Sequence, residues 1–161
     1  MKSENVMECH GLTKSFGSKK ALDNVELKIG RGKIIGLLGP NGSGKTTLIK
    51  ILNGLLRPSS GEAFVDGERP GVYTKAIVSY LPDKTYFADW MRVGDIFDMF
   101  GEFYRDFDTE KADKMCNSLG INREERIKTM SKGTKEKVQL ILVMSRSAQL
   151  YLLDEPIAGV D

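Results

Sequence analysis

Residues 39–46, Gly-Pro-Asn-Gly-Ser-Gly-Lys-Thr, set three glycines, a lysine and a hydroxyl at the spacing G-x-x-x-x-G-K-[ST]. Gly39, Gly42 and Gly44 let successive backbone N–H groups converge on one side, with no Cβ in the way of an anion. Lys45 adds a point charge suited to β- and γ-phosphates, and the Thr46 hydroxyl is a hard oxygen ligand suited to Mg²⁺. With Pro40, Asn41, Ser43 and Thr47 these residues form the expected nucleotide-binding set. The apolar run Lys33–Leu38 before the loop is expected as a buried strand, and Thr47–Asn53 after it as a helix whose N-terminus faces the anion. This context predicts binding of a nucleoside triphosphate.

A second constellation lies near the other end. The apolar run Leu150–Leu153 is followed by Asp154, Glu155 and Pro156. A strand ending in adjacent carboxylates places Asp154 for the Mg²⁺ shell, and Glu155 points the other way, where it can polarise a water for in-line attack on the γ-phosphate. At 130–134, Met-Ser-Lys-Gly-Thr, a serine stands directly before a helical pattern. The local reading of Ser131 is a helix N-cap.

Elements that must hold these groups follow from pattern. Strand signals occur at Val6–Leu12, Val25–Ile29, Glu62–Asp66 and Ile77–Leu81, with turns at 30–32, 59–61 and 66–67. Helical spacing links Val93, Ile96, Phe97, Phe100 and then Phe103 or Tyr104. It also links Ala112, Met115 and Leu119, where Gly120 is the expected C-terminal cap. A third helix is expected from Thr134 to about Arg146, with Val138, Ile141, Leu142 and Ser145 on one stripe. The fold class is therefore α/β, with a β-rich core and an inserted helical block.

Composition narrows the function class. The chain of 161 residues is 40% hydrophobic and 29% charged, ordinary for a globular protein. Its 24 basic and 22 acidic residues leave a net charge of +2, which gives no basic footprint, and no nucleic-acid partner is expected. Cys9 and Cys116 lie far apart with no metal spacing, as free thiols in a reducing compartment, and the single histidine, His10, is expected to be structural. No apolar run approaches the ~20 residues needed to cross a bilayer, so any membrane connection is expected through a partner.

The order of phosphate loop, serine-led helix and carboxylate strand resembles the nucleotide-binding domain of ATP-binding cassette (ABC) transporters, a P-loop NTPase fold. The resemblance covers essentially the whole chain. It implies a core of 1–82 and 147–161, with 83–146 carrying the Q-loop and the helical subdomain. Phe16 matches the aromatic that stacks on adenine. Ser131, Lys132, Gly133 and Thr134 match a divergent signature acting in trans, and Gly159 and Asp161 fall at the D-loop. Asp83 stands where the family has the Q-loop glutamine, and it can reach Mg²⁺ or its water. Lys132 and Thr134 also depart from the family's Gly and Gln.

By this resemblance the cofactors are ATP and Mg²⁺, with Thr46, Asp83 and Asp154 around the metal and Glu155 catalytic. The implied assembly is a homodimer or heterodimer of ATPase domains on a separate transmembrane permease, at the cytoplasmic face of the membrane, working in efflux. The rivals are a soluble ABC ATPase on ribosomes or DNA, and a P-loop kinase. The sequence ends at Asp161, before the strand that carries the family's switch histidine. The chain is therefore expected to be a fragment, its C-terminal part missing, with a gap beside the phosphate-loop strand.

Overall fold

Val6, Met7, Cys9 and Leu12 turn apolar side chains inward along β1 (Asn5–Phe16), the central strand of a three-stranded sheet. The computed structural model describes residues 4–156. They divide between two compact units, Met1–Val78 and Ser79–Asp161.

In the first unit β1 pairs antiparallel with β2 (Lys19–Gly30) through Cys9↔Leu27 and Leu12↔Val25. It also pairs antiparallel with β3 (Ser60–Val65) through Met7↔Val65 and Cys9↔Ala63. Both ladders shift register near Gly11. There a Cβ on Gly61 would lie 2.2 Å from the Gly11 carbonyl oxygen, so only glycine lets the strands approach this closely. Leu22, Ala63 and Val65 are buried, as are Leu48, Ile49, Ile51 and Leu52 of helix α1 (Lys45–Leu52). A short helix, α2 (Val72–Ile77), was not expected from sequence. It starts where the Gly71 N–H donates to Thr74 Oγ1 at 2.8 Å. Asp66 fixes the turn after β3 by pairing with Arg31 and accepting from the Tyr73 hydroxyl at 3.1 Å.

Lys33–Leu38 departs from expectation. It forms no strand, Ile34 and Leu38 are almost wholly exposed, and Ile35 and Leu37 are also exposed. Apolar pattern supplies β-propensity, but a strand persists only when a neighbour completes its ladder. Among the described residues no strand pairs with this stretch.

The second unit joins β4 (Val78–Leu81) and β5 (Leu150–Leu153) in a two-stranded sheet and carries a helical cluster. α3 (Val93–Phe103), α4 (Thr109–Ser118) and α5 (Lys132–Met144) enclose Val93, Ile96, Phe97, Ala112, Cys116, Ile127, Val138, Ile141 and Leu142. Each helix start is satisfied by a side chain. Asp95 accepts from the Arg92 N–H at 2.8 Å, Asp108 from the Lys111 N–H at 2.9 Å, and Ser131 from the Thr134 N–H at 3.1 Å. Gly120 follows α4 with φ 66°, as its predicted role as a helix stop requires. Of the two aromatics that fit the end of α3, Phe103 is exposed. Tyr104 lies under the buried Arg146, whose guanidinium carbon is 3.9 Å from its ring centroid and which forks onto Asp106 at 3.0 and 3.1 Å.

Candidate nucleotide site

The phosphate loop belongs to the first unit. A Ser43 N–H bond to the Pro40 carbonyl, 3.2 Å, closes its turn, and exposed Asn41 and Gly42 form the tip. Gly44 then caps α1 in the left-handed region, φ 94°. Its lack of a side chain is obligatory, because a Cβ there would lie 2.2 Å from the Ala21 carbonyl oxygen and 2.9 Å from Leu22. Lys45 folds back over the loop, donating from Nζ to the carbonyls of Gly39 at 2.7 Å and Pro40 at 3.0 Å. Its ammonium thus rests on the loop it would serve, and a phosphate would replace those neutral acceptors with charged ones. Thr46 and Thr47 occupy the first turn of α1. Phe16 ends β1 half exposed, with Lys14 Nζ 5.1 Å from its ring centroid.

The carboxylates belong to the second unit. The Asp154 N–H donates to the Leu81 carbonyl at 2.9 Å, which extends the β4–β5 pairing by one residue and fixes where the acid begins. Asp154 is only 2% exposed, whereas Glu155 is exposed and holds a left-handed φ of 49°. That conformation is uncommon for a residue with a Cβ and turns Glu155 away from Asp154's buried environment. Burial, reinforced by the charges of Asp154 and Asp83, pushes the Tyr80 hydroxyl up to about 12, so it remains protonated at neutral pH.

Asp83, Lys132 and Glu155 line one cleft of about 600 Å³ together with Glu136 and Gln139. Lys132 Nζ lies 3.7 Å from Glu136 Oε1, one turn along α5, and Lys135 pairs with Asp89 at 3.5 Å. Ser131 and Thr134 face each other at the helix start, their hydroxyl oxygens 2.8 Å apart, and Gly133 opens onto free space. Gly159 and Asp161 lie outside the described residues. Gln139 was missed from sequence. Its signal was a lone amide beside the apolar stripe Val138, Ile141 and Leu142.

The other chemistry-bearing residues read as structural. His10 sits between Glu8 and Glu26 at 3.3 and 3.6 Å. Cys9 is buried, and its thiol is pushed up to about 11, first by that burial and then by Glu26. Among the described residues no group of three or more His, Cys, Asp or Glu could hold a metal ion alone. Each unit offers an oxygen donor of the kind a hard cation takes, the Thr46 hydroxyl in the first and the buried Asp154 carboxylate in the second.

Comparison with known proteins places this arrangement in a family. The ABC transporter family model matches residues 22–158. The chain belongs to the ABC transporter family, as an ATP-binding protein of the P-loop NTPase fold. It is 34% identical over 160 residues to an uncharacterized ABC transporter ATP-binding protein of Methanocaldococcus jannaschii, covering 96% of this chain and 58% of that one. It is 30% identical over 162 residues to the SkfA peptide export ATP-binding protein of Bacillus subtilis, covering 97% and 68%. The solved structure of an ABC transporter ATP-binding protein from Pyrococcus furiosus matches with TM-score 0.83 at 25% identity, over 96% of this chain and 78% of that one. The chain spans 58% of the Methanocaldococcus jannaschii relative and 53% and 54% of two Bacillus subtilis ABC transporter ATP-binding proteins that it also matches, about half of their length.

Proposed function

We propose that this chain is the nucleotide-binding part of a subunit that binds and hydrolyses Mg·ATP to drive a separate transmembrane partner. The observation that carries the reading is the phosphate loop itself, a left-handed glycine cap opening α1 with the Lys45 ammonium held over the loop carbonyls. In this reading the loop N–H groups and Lys45 hold the β- and γ-phosphates, and Phe16 offers a face to adenine. Thr46, Asp154 and Asp83 hold Mg²⁺, which neutralises phosphate charge when bound. Glu155 accepts a proton from the attacking water. Ser131, Lys132, Gly133 and Thr134 close over the nucleotide of a second subunit, with Gly159 and Asp161 at the same interface. The division proposed for the chain is a core of 1–82 and 147–161 around a helical segment, 83–146.

Efflux is the direction we favour. Two relatives are named for export: the SkfA peptide exporter subunit and the lipopolysaccharide export ATP-binding protein of Haemophilus influenzae, 30% identical over 168 residues. No described helix is long and apolar enough to cross a membrane. In this reading the subunit works at the cytoplasmic face of the membrane through its partner. Measuring ATP binding and phosphate release by the full-length protein, and identifying what co-purifies from detergent-solubilised membranes, tests this reading. Absence of nucleotide binding would overturn it.

A docking surface for the partner is read from the segment after Asp83. Tyr86 and Trp90 are 74% and 72% exposed, while Phe87 packs against the helical core. Exposed aromatic side chains are a common anchor for a partner helix. Replacing both Tyr86 and Trp90 with Ala is expected to cut co-purification of the membrane protein at least tenfold and to leave the melting temperature unchanged, because neither side chain contributes to the core. Undiminished recovery of the partner would remove this surface from consideration.

A further inference from the structure

Helix α5 carries one polar side chain deep in its packed face. Gln139 is 7% exposed, beside the fully buried Val138 and Ile141. Its Nε2 donates to two backbone carbonyls, Pro82 at 3.4 Å and Lys84 at 3.2 Å. These carbonyls bracket Asp83 on either side. One turn further along the same helix, the Val143 carbonyl accepts from the buried Ser79 Oγ at 2.9 Å. The strand leading into Asp83 is also fixed at its end, where Leu81 accepts from the Asp154 N–H at 2.9 Å.

We propose that Gln139 is a positioning residue that locks the Pro82–Lys84 loop, and Asp83 with it, to the helix opened by Ser131. The chemistry of the contact supports this role. One primary amide carries two N–H groups, enough for both carbonyls flanking the acid. An apolar residue would pack the helix equally well but could not register the loop. Two links spaced one turn apart, at 139 and 143, resist rotation of α5 about its axis as well as translation. Gln139 stands eight residues from Ser131, about 12 Å along the helix, so a shift of the loop that meets the nucleotide's metal moves the start of α5 as one body. This inference rests on the nucleotide reading of Asp83 and Ser131 given above, and it adds the residue that couples them.

The test uses the full-length protein with Gln139→Leu, which keeps the volume and removes both donors. Backbone order parameters at residues 83–85 are expected to fall below about 0.6, the range of a flexible loop, because the loop loses both anchors. ATP turnover should fall about five- to tenfold while the KM for ATP stays within about twofold, since the phosphate loop is untouched. Gln139→Met keeps the side-chain length without any hydrogen-bond donor or charge and is expected to behave the same way, which covers the case that the leucine variant does not fold. A contact that merely supports packing would lower the melting temperature without separating kcat from KM. Unchanged order parameters at 83–85, or lower ones with unchanged kcat, would overturn the proposal. A wild-type protein that neither binds nor hydrolyses ATP would sink the nucleotide reading, and the order-parameter comparison would still decide the clamp.

Discussion

Lys45→Ala is expected to remove detectable ATP binding. The lysine supplies the charged donor of the phosphate loop, and charge-assisted hydrogen bonds contribute about 1.5–3 kcal/mol each. Losing two such contacts to phosphate oxygens weakens affinity by roughly 100- to 10,000-fold. The same change also removes the Nζ bonds to the Gly39 and Pro40 carbonyls. Titration calorimetry on the full-length protein, with the melting temperature as a control, measures the effect. Affinity within threefold of wild type would show that the loop does not grip phosphate through this residue.

Glu155→Gln is expected to give the opposite pattern: ATP affinity retained and turnover reduced by about 100-fold or more, the usual scale for removing a general base. The amide keeps the size and the left-handed backbone of the native residue but cannot accept a proton from water. Exposure of Glu155 beside the buried Asp154 suits this division, one acid open to water and the other held back for a metal. Phosphate release and nucleotide affinity measured on the same samples separate the two roles. Equal loss of affinity in Lys45→Ala and Glu155→Gln would show that the roles are assigned wrongly.

Much of the scaffold was legible because local pattern and capping chemistry agree. Ser131 was readable as an N-cap, and α5 starts at Lys132, two residues before the expected Thr134. α3 and the stop at Gly120 follow from helical spacing and a glycine with positive φ. β2 begins at Lys19, well before the expected Val25, because pairing with β1 recruits polar residues that carry no strand signal. α2 was illegible for a related reason: six residues with one buried side chain, Thr74, leave no periodicity to read. Lys33–Leu38 shows the reverse failure, strong local preference without a partner. The place of Asp154 at the end of β5 was legible from the apolar run before it. Gln139 was not, since a glutamine on a helix usually faces water.

The bare stretch 33–38 has a practical consequence for anyone handling this 161-residue polypeptide in solution. Four exposed aliphatic side chains on a backbone that pairs with no strand among the described residues form a sticky seam, able to add to a like seam on another molecule. Light scattering should therefore rise with protein concentration, and an Ile34→Lys change, which sets a charge on that seam, should suppress the rise. Colloidal behaviour, rather than melting temperature, would then be the property that limits work with the isolated polypeptide.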